Sequence, residues 1–216
     1  MSRYKLTLSL AVVCLVLGFT AIAQQPPAAK KRSPVLTSED LAKSRSQIGS
    51  TVVLSAVEPK EWVKYTPGGL RLSLDLPGGL DPIEVPMPDY VLNELHRDYG
   101  DAKSYAGNTN FLAVDLLYLP SNKPSVSPAD LKITAGRFMK LISLALDSKA
   151  TYTAELTGKS KVSVKGTYTM AGEAYELLGT MQSRGKEIWL VTSVFRKSDD
   201  TAHRIALRIV GSATMY

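Results

Sequence analysis

The side chains able to do chemistry are few and scattered. The chain holds two histidines, His96 and His203, and one cysteine, Cys14. A zinc site needs three or four ligands at compact spacing, and two histidines this far apart offer none. His203 closes the run Ser198-Asp199-Asp200-Thr201-Ala202-His203, with Asp199 four residues before it, the spacing at which helix side chains meet. Ser198, His203 and Asp199 brought together would be the groups of a hydrolase: a hydroxyl that attacks, an imidazole that takes its proton, a carboxylate that orients the ring. Ser198 lacks the Gly-x-Ser-x-Gly setting that turns a strand sharply into a helix, and Asp199 or Asp200 is better placed to cap a helix. Asp98, Asp101, Asn108 and Asn110 are oxygen donors in one stretch, without the twelve-residue spacing of a calcium loop. Gly68-Gly69 and Gly78-Gly79 open no helix and carry no phosphate-binding lysine, so they read as turns. On this reading there is no catalytic residue, no metal site and no cofactor, and the chain is expected not to be an enzyme.

The elements that would position these residues are easier to read. Leu70, Leu72, Leu74 and Leu76 alternate with Arg71, Ser73 and Asp75, a period of two that means a half-buried strand. Trp62 to Tyr65 precedes it across Pro67-Gly68-Gly69, which predicts a hairpin. Ser50 to Val57, apolar and β-branched, reads as a first strand. Pro77 to Pro88, rich in proline and glycine, reads as a surface loop. Asp89 to Tyr99 predicts a short helix, and Phe111 to Leu119 a buried strand with Asp115 as its one awkward residue. Ser127-Pro128-Ala129-Asp130 is a helix entrance, followed by the stripe Leu131, Ala135, Phe138, Ile142 and Ala145. From Val162 an antiparallel meander follows, turning at Ala171-Gly172 and at Arg184-Gly185-Lys186 and ending in Ile188 to Phe195. A last helix carries Ala202, Ile205, Ala206, Ile209 and Val210 on one face. The fold class expected is α+β, an antiparallel sheet flanked by helices in an α-β-α sandwich.

The N-terminus reads as an export signal. Arg3 and Lys5 precede an apolar run from Leu6 to Phe19, and Ala21-Ile22-Ala23 places small residues ahead of a cut before Gln24. The cleavage residues are thus Ala21, Ala23 and Gln24. The run is shorter than the ~20 apolar residues of a spanning helix, so no stable membrane span is expected after cleavage. The organisation expected is a signal peptide at 1–23, a flexible leader with a short helix at 24–50, and one α+β domain at 51–216. Removing Arg3, Lys5 and Cys14 leaves 24 basic against 20 acidic side chains, a net charge of +4, and no cysteine. The exported chain then has no disulfide and no thiolate. Its basic residues are scattered, and the compact run Lys30-Lys31-Arg32 sits in a Pro- and Ala-rich leader, so no nucleic-acid partner is expected.

The order of elements resembles the PsbP-like fold. That family includes the extrinsic photosystem II protein PsbP, a nuclear-import factor that binds a small GTPase, and exported bacterial proteins of unknown role. The resemblance rests on the Trp62…Tyr65…Gly68-Gly69 hairpin ending at Leu76-Pro77, the helix near 127–146, the paired strands after Val162 with Trp189 near their end, and the closing helix up to Ser212. It spans residues 55–214. It implies a binding or assembly role and transfers no site residue. The function expected is an exported, non-catalytic binding or assembly module of the cell envelope, in the periplasm or outside the cell, with a protein or small envelope ligand as partner. Pro77–Pro88 and the segment to Asn110 would form its recognition surface. The alternatives are an envelope hydrolase and an envelope-tethered protein held by its leader.

Overall fold

The computed structural model describes residues 55–87, 91–92, 95, 98–145, 150–170 and 172–216, leaving aside the side chains of 142–145. The signal, the leader, His96 and the first half of the predicted strand at 50–57 lie outside these residues.

Among the described residues the strands are β1 (Trp62–Tyr65), β2 (Leu72–Pro77), β3 (Ile83–Val85), β4 (Lys103–Asn108), β5 (Leu112–Pro120), β6 (Thr151–Gly158), β7 (Lys161–Met170), β8 (Glu173–Arg184), β9 (Glu187–Arg196) and β10 (Thr214–Met215). The long helices are α1 (Pro128–Ala145), between β5 and β6, and α2 (Asp200–Ser212), between β9 and β10; Pro67–Gly69 forms a 3-10 turn, and Val91, Leu92 and Leu95, within the helix expected at 89–99, are helical. Seven strands form one antiparallel sheet in the order β3-β4-β5-β9-β8-β7-β6, and β1-β2-β10 form a second.

Burial explains which strands sit where. β9, IWLVTSVF at its centre, is buried at all eight inner positions, and β5 is buried at six of nine. Strands covered on both faces read as unbroken apolar runs, and these two lie side by side in mid-sheet. β2 alternates instead: Leu72, Leu74 and Leu76 are fully buried, while Ser73 and Asp75 are half-buried. One core lies between the large sheet and α1, with Leu131, Ala135, Phe138 and Met139 against Val162, Val164, Leu177, Met181 and Leu190; Val91, Leu95 and Tyr99 complete it. The other lies between the large sheet and the layer of α2 and β2, with Ile205 and Ile209 against Leu74, Leu116, Trp189 and Phe195. The α-β-α sandwich is therefore present, with a small sheet sharing the α2 layer.

The entry hairpin forms as expected, with Trp62 opposite Pro77 and Tyr65 opposite Leu74. Gly68 turns it at φ +49°, with the Tyr105 hydroxyl 2.8 Å from where a Cβ would stand, so only glycine suits both the backbone and the space. The α1 entrance is a reciprocal cap. The Asp130 amide donates to Ser127 Oγ at 3.1 Å, and the Ser127 amide and hydroxyl donate to the Asp130 carboxylate at 3.2 and 2.6 Å, which satisfies amides the helix leaves free. Lys123 reaches Asp130 at 2.6 Å, and these contacts, the lysine's first, hold the carboxyl down to about 2.

Three expectations are corrected. Ser55–Val57 is not a strand: the Ala56 amide donates to Asp199 Oδ2 at 2.7 Å, which takes it out of any ladder. The Pro77–Pro88 stretch contains β3, an edge strand paired with β4, because an edge tolerates proline on either side of a short ladder. The polar stretch before Asn110 contains β4, held by six paired positions on β5.

Candidate functional site

The sequence-derived hydrolase group does not assemble. Asp199 caps α2, accepting from the Ala202 amide at 2.9 Å through Oδ1 and from the Ala56 amide through Oδ2. Both oxygens are thus spent on backbone. His203 meets Asp199 only through the backbone bond from its own amide, 2.9 Å. Its ring stands edge-on to Phe195 at 5.4 Å, with Nδ1 3.7 Å from Glu176. Ser198 is exposed. Replacing Asp199 by alanine is expected to cost about 1–3 kcal/mol, from the lost cap and the stranded Ala56 amide, read as a lower midpoint in urea unfolding.

The other candidates are also dispersed. Asp98 is paired with Arg137 at 2.6 Å, Asn108 ends β4, and Asp101 is exposed. Among the described residues no three His, Cys, Asp or Glu side chains gather as metal ligands. A cavity lined by Leu95, Tyr99, Thr134, Arg137, Phe138 and Leu141 has about 10 Å³, the room of one water. The aromatic residues pack as core: Tyr118 and Tyr105 flank Trp189 at 5.1 and 6.3 Å, and Tyr168 stacks on Tyr175 at 5.5 Å.

Asp115 is the one perturbed acid in mid-sheet. It lies on β5 opposite Ala106 and Thr192, on the same face as Ala113 and Leu117 of the α1-side core. It keeps partial solvent contact, yet burial among these neighbours pushes its carboxyl up to about 8. The Tyr168 hydroxyl is pushed up, first by burial and then by the nearby Tyr175 and Asp115, and has no hydrogen-bond partner among the described residues.

The large sheet ends in two unlike edges. β3 is three residues long, set between Pro82 and Pro86, and tied down by the Tyr65 hydroxyl donating to the Pro82 carbonyl at 2.6 Å. A short, proline-bounded edge resists further pairing. β6 is eight residues long, and only Ala154 along it is other than exposed. Its sequence Thr-Tyr-Thr-Ala-Glu-Leu-Thr-Gly carries one charge and no proline. The reason it stands clear is the extent of the layers. On the α2 side, cover stops short of β7, whose Ser163, Lys165 and Thr167 are half-buried or exposed. On the α1 side only Ala154 is packed into the core, leaving Tyr152 39% and Leu156 46% exposed. β6 therefore offers an open row of backbone donors and acceptors with two apolar side chains beside it. It went unread in the sequence, although Thr151, Thr153 and Thr157 alternate with Tyr152, Ala154 and Leu156. That alternation is a strand signal, weakened because neither set is strongly apolar.

No family model matches the chain, and no curated protein matches it. Its structure is similar to those of several solved proteins, three of which follow. The solution structure of cyanobacterial PsbP (CyanoP) from Synechocystis sp. PCC 6803 matches at a TM-score of 0.51 with 13% identity, over 78% of this chain and 100% of that one. LpqN, involved in cell envelope biogenesis of Mycobacterium tuberculosis, matches at 0.38 with 14% identity, over 72% and 90%. The extracellular domain of PknH from Mycobacterium tuberculosis matches at 0.34 with 13% identity, over 82% and 91%. The first of these likenesses, together with the order of strands and helices, establishes that the chain has the PsbP-like α+β fold.

Proposed function

We propose that this chain is an exported, non-catalytic binding or assembly module of the cell envelope, working by strand addition at β6. The observation that carries the proposal is the long, proline-free β6 edge, exposed at every residue except Ala154. An exposed edge of this kind pairs with another extended backbone, and its alternate side chains choose the partner. Export is supported by Arg3, Lys5, the apolar run and Ala21-Ile22-Ala23 in the sequence. Among the described residues no helix is long and apolar enough to cross a membrane. The non-catalytic part is supported by Asp199, whose carboxylate is committed to two backbone amides and is not available to the His203 ring.

The test compares variants in cells that lack the native chain. Tyr152→Lys with Leu156→Lys is expected to abolish its contribution to the cell, whereas His203→Ala keeps that contribution. The reverse pattern, with His203 required and the β6 pair dispensable, overturns the proposal in favour of an enzyme. N-terminal sequencing of the exported chain is expected to begin at Gln24; a start at Met1 removes the cleavage reading.

A further inference from the structure

We infer that the occupant of the β6 edge is a second copy of this chain, joined antiparallel about a two-fold axis through Ala154. The inference rests on the strand-addition reading above and adds its partner and register. An isologous contact requires a patch that is complementary to itself, and β6 has one. Centring the pair on Ala154 aligns residues 151–157, with the register shift of β6 falling at the end of the overlap, after Leu156. Tyr152 then lies opposite Leu156 of the other copy, and Leu156 opposite its Tyr152. Both side chains share the face of Ala154 and are exposed in the free chain, Tyr152 at 39% and Leu156 at 46%. Aromatic against aliphatic is a favourable cross-strand pair.

Charge selects the same register. Glu155 falls opposite Thr153 of the other copy, and Thr153 is itself opposite Lys165 on β7. The carboxylate is thus in line with the exposed Lys165 ammonium, two strand spacings or about 10 Å away at the backbone and less between these side-chain tips. Moving the axis by one residue, to Glu155, sets two carboxylates against each other, which is destabilising. Moving it to Thr153 shortens the overlap and separates Tyr152 from Leu156. A single strand pair buries less area than a permanent dimer interface, so the association is concentration-dependent.

The test uses the exported chain beginning at Gln24, which carries no cysteine of its own. In the proposed register two Ala154 Cα atoms lie about 4.5–5.5 Å apart, within disulfide reach. Ala154→Cys is expected to give a covalent dimer under mild oxidation. Thr151→Cys, six residues from its counterpart or about 20 Å, is expected to give none. Sedimentation equilibrium is expected to show a monomer–dimer equilibrium that Leu156→Lys shifts at least tenfold toward monomer, with the circular dichroism spectrum unchanged. A chain that stays monomeric at millimolar concentration, or one in which Thr151→Cys cross-links as readily as Ala154→Cys, overturns the second-copy occupant. In that event adducts between β6 and a different protein in cells still uphold the strand-addition reading, and their absence removes that reading too.

Discussion

Asp115→Asn is expected to remove most of the pH dependence of stability between about pH 4 and pH 8. Asp115 titrates near 3.8 in the unfolded chain and at about 8 in the folded one, raised by burial on β5. Between those values the folded chain holds a proton that the unfolded chain has released. Stability is therefore fully present below the unfolded value and is lost as pH rises through the folded one. Each pH unit in the window removes about 1.4 kcal/mol, trimmed by the solvent contact that Asp115 retains, so the loss across it is several kcal/mol. Asparagine keeps the shape and never ionises. The variant should match the native chain at acid pH and exceed it at pH 8. Urea unfolding at a series of pH values measures this directly. Parallel slopes for the two proteins would mean that Asp115 ionises freely in the folded chain. Asp130 acts with the opposite sign: its lowered carboxyl contributes stability that is lost as pH falls from its unfolded value toward 2, outside the Asp115 window.

The second large effect is at Trp189. Its side chain is fully buried, set between Tyr118 and Tyr105 beneath the α2 layer, with Leu74, Leu116 and Ile205 in the same core. Trp189→Ala removes the largest apolar group on β9 and leaves a void that a close-packed core fills only in part. The expected cost is about 3–5 kcal/mol. Its indole N–H has no hydrogen-bond partner among the described residues, so Trp189→Phe gives up packing while also removing an unpaired buried donor. That milder variant should cost less than about 1.5 kcal/mol. Denaturant midpoints for the two variants separate packing from polarity, and an alanine variant as stable as the phenylalanine one would contradict this account of the core.

Much of the fold is legible in the sequence because the signals are local. The Leu72, Leu74, Leu76 alternation needs only one buried face. The Ser127–Asp130 cap and the Asp199 cap are chemistry within one helical turn. The apolar runs of β5 and β9 identify strands covered on both sides. What escapes is set by pairing at a distance. β4 contains Gly107 and Asn108 and few apolar residues, and it is a strand because β5 supplies its ladder. β3 survives among prolines because it lies at an edge. β10 is two residues long and exists only against Leu72 and Ser73 of β2. β6 has a strand's alternation, but its place at the open end of the sheet follows from where α1 and α2 run out. The same holds for chemistry. Asp199 to His203 has helical spacing in the sequence, while the Ala56 amide that occupies the second carboxylate oxygen comes from 143 residues away.

The central claim is that β6 is the working edge of the molecule. A photo-cross-linking residue in place of Leu156, in the chain expressed and exported in its own cells, tests it most directly, with the same residue in place of Glu84 on β3 as the guarded-edge control. The account predicts a discrete adduct from position 156 at twice the mass of the exported chain, and none from position 84. Adducts from position 84 with none from position 156 would contradict it.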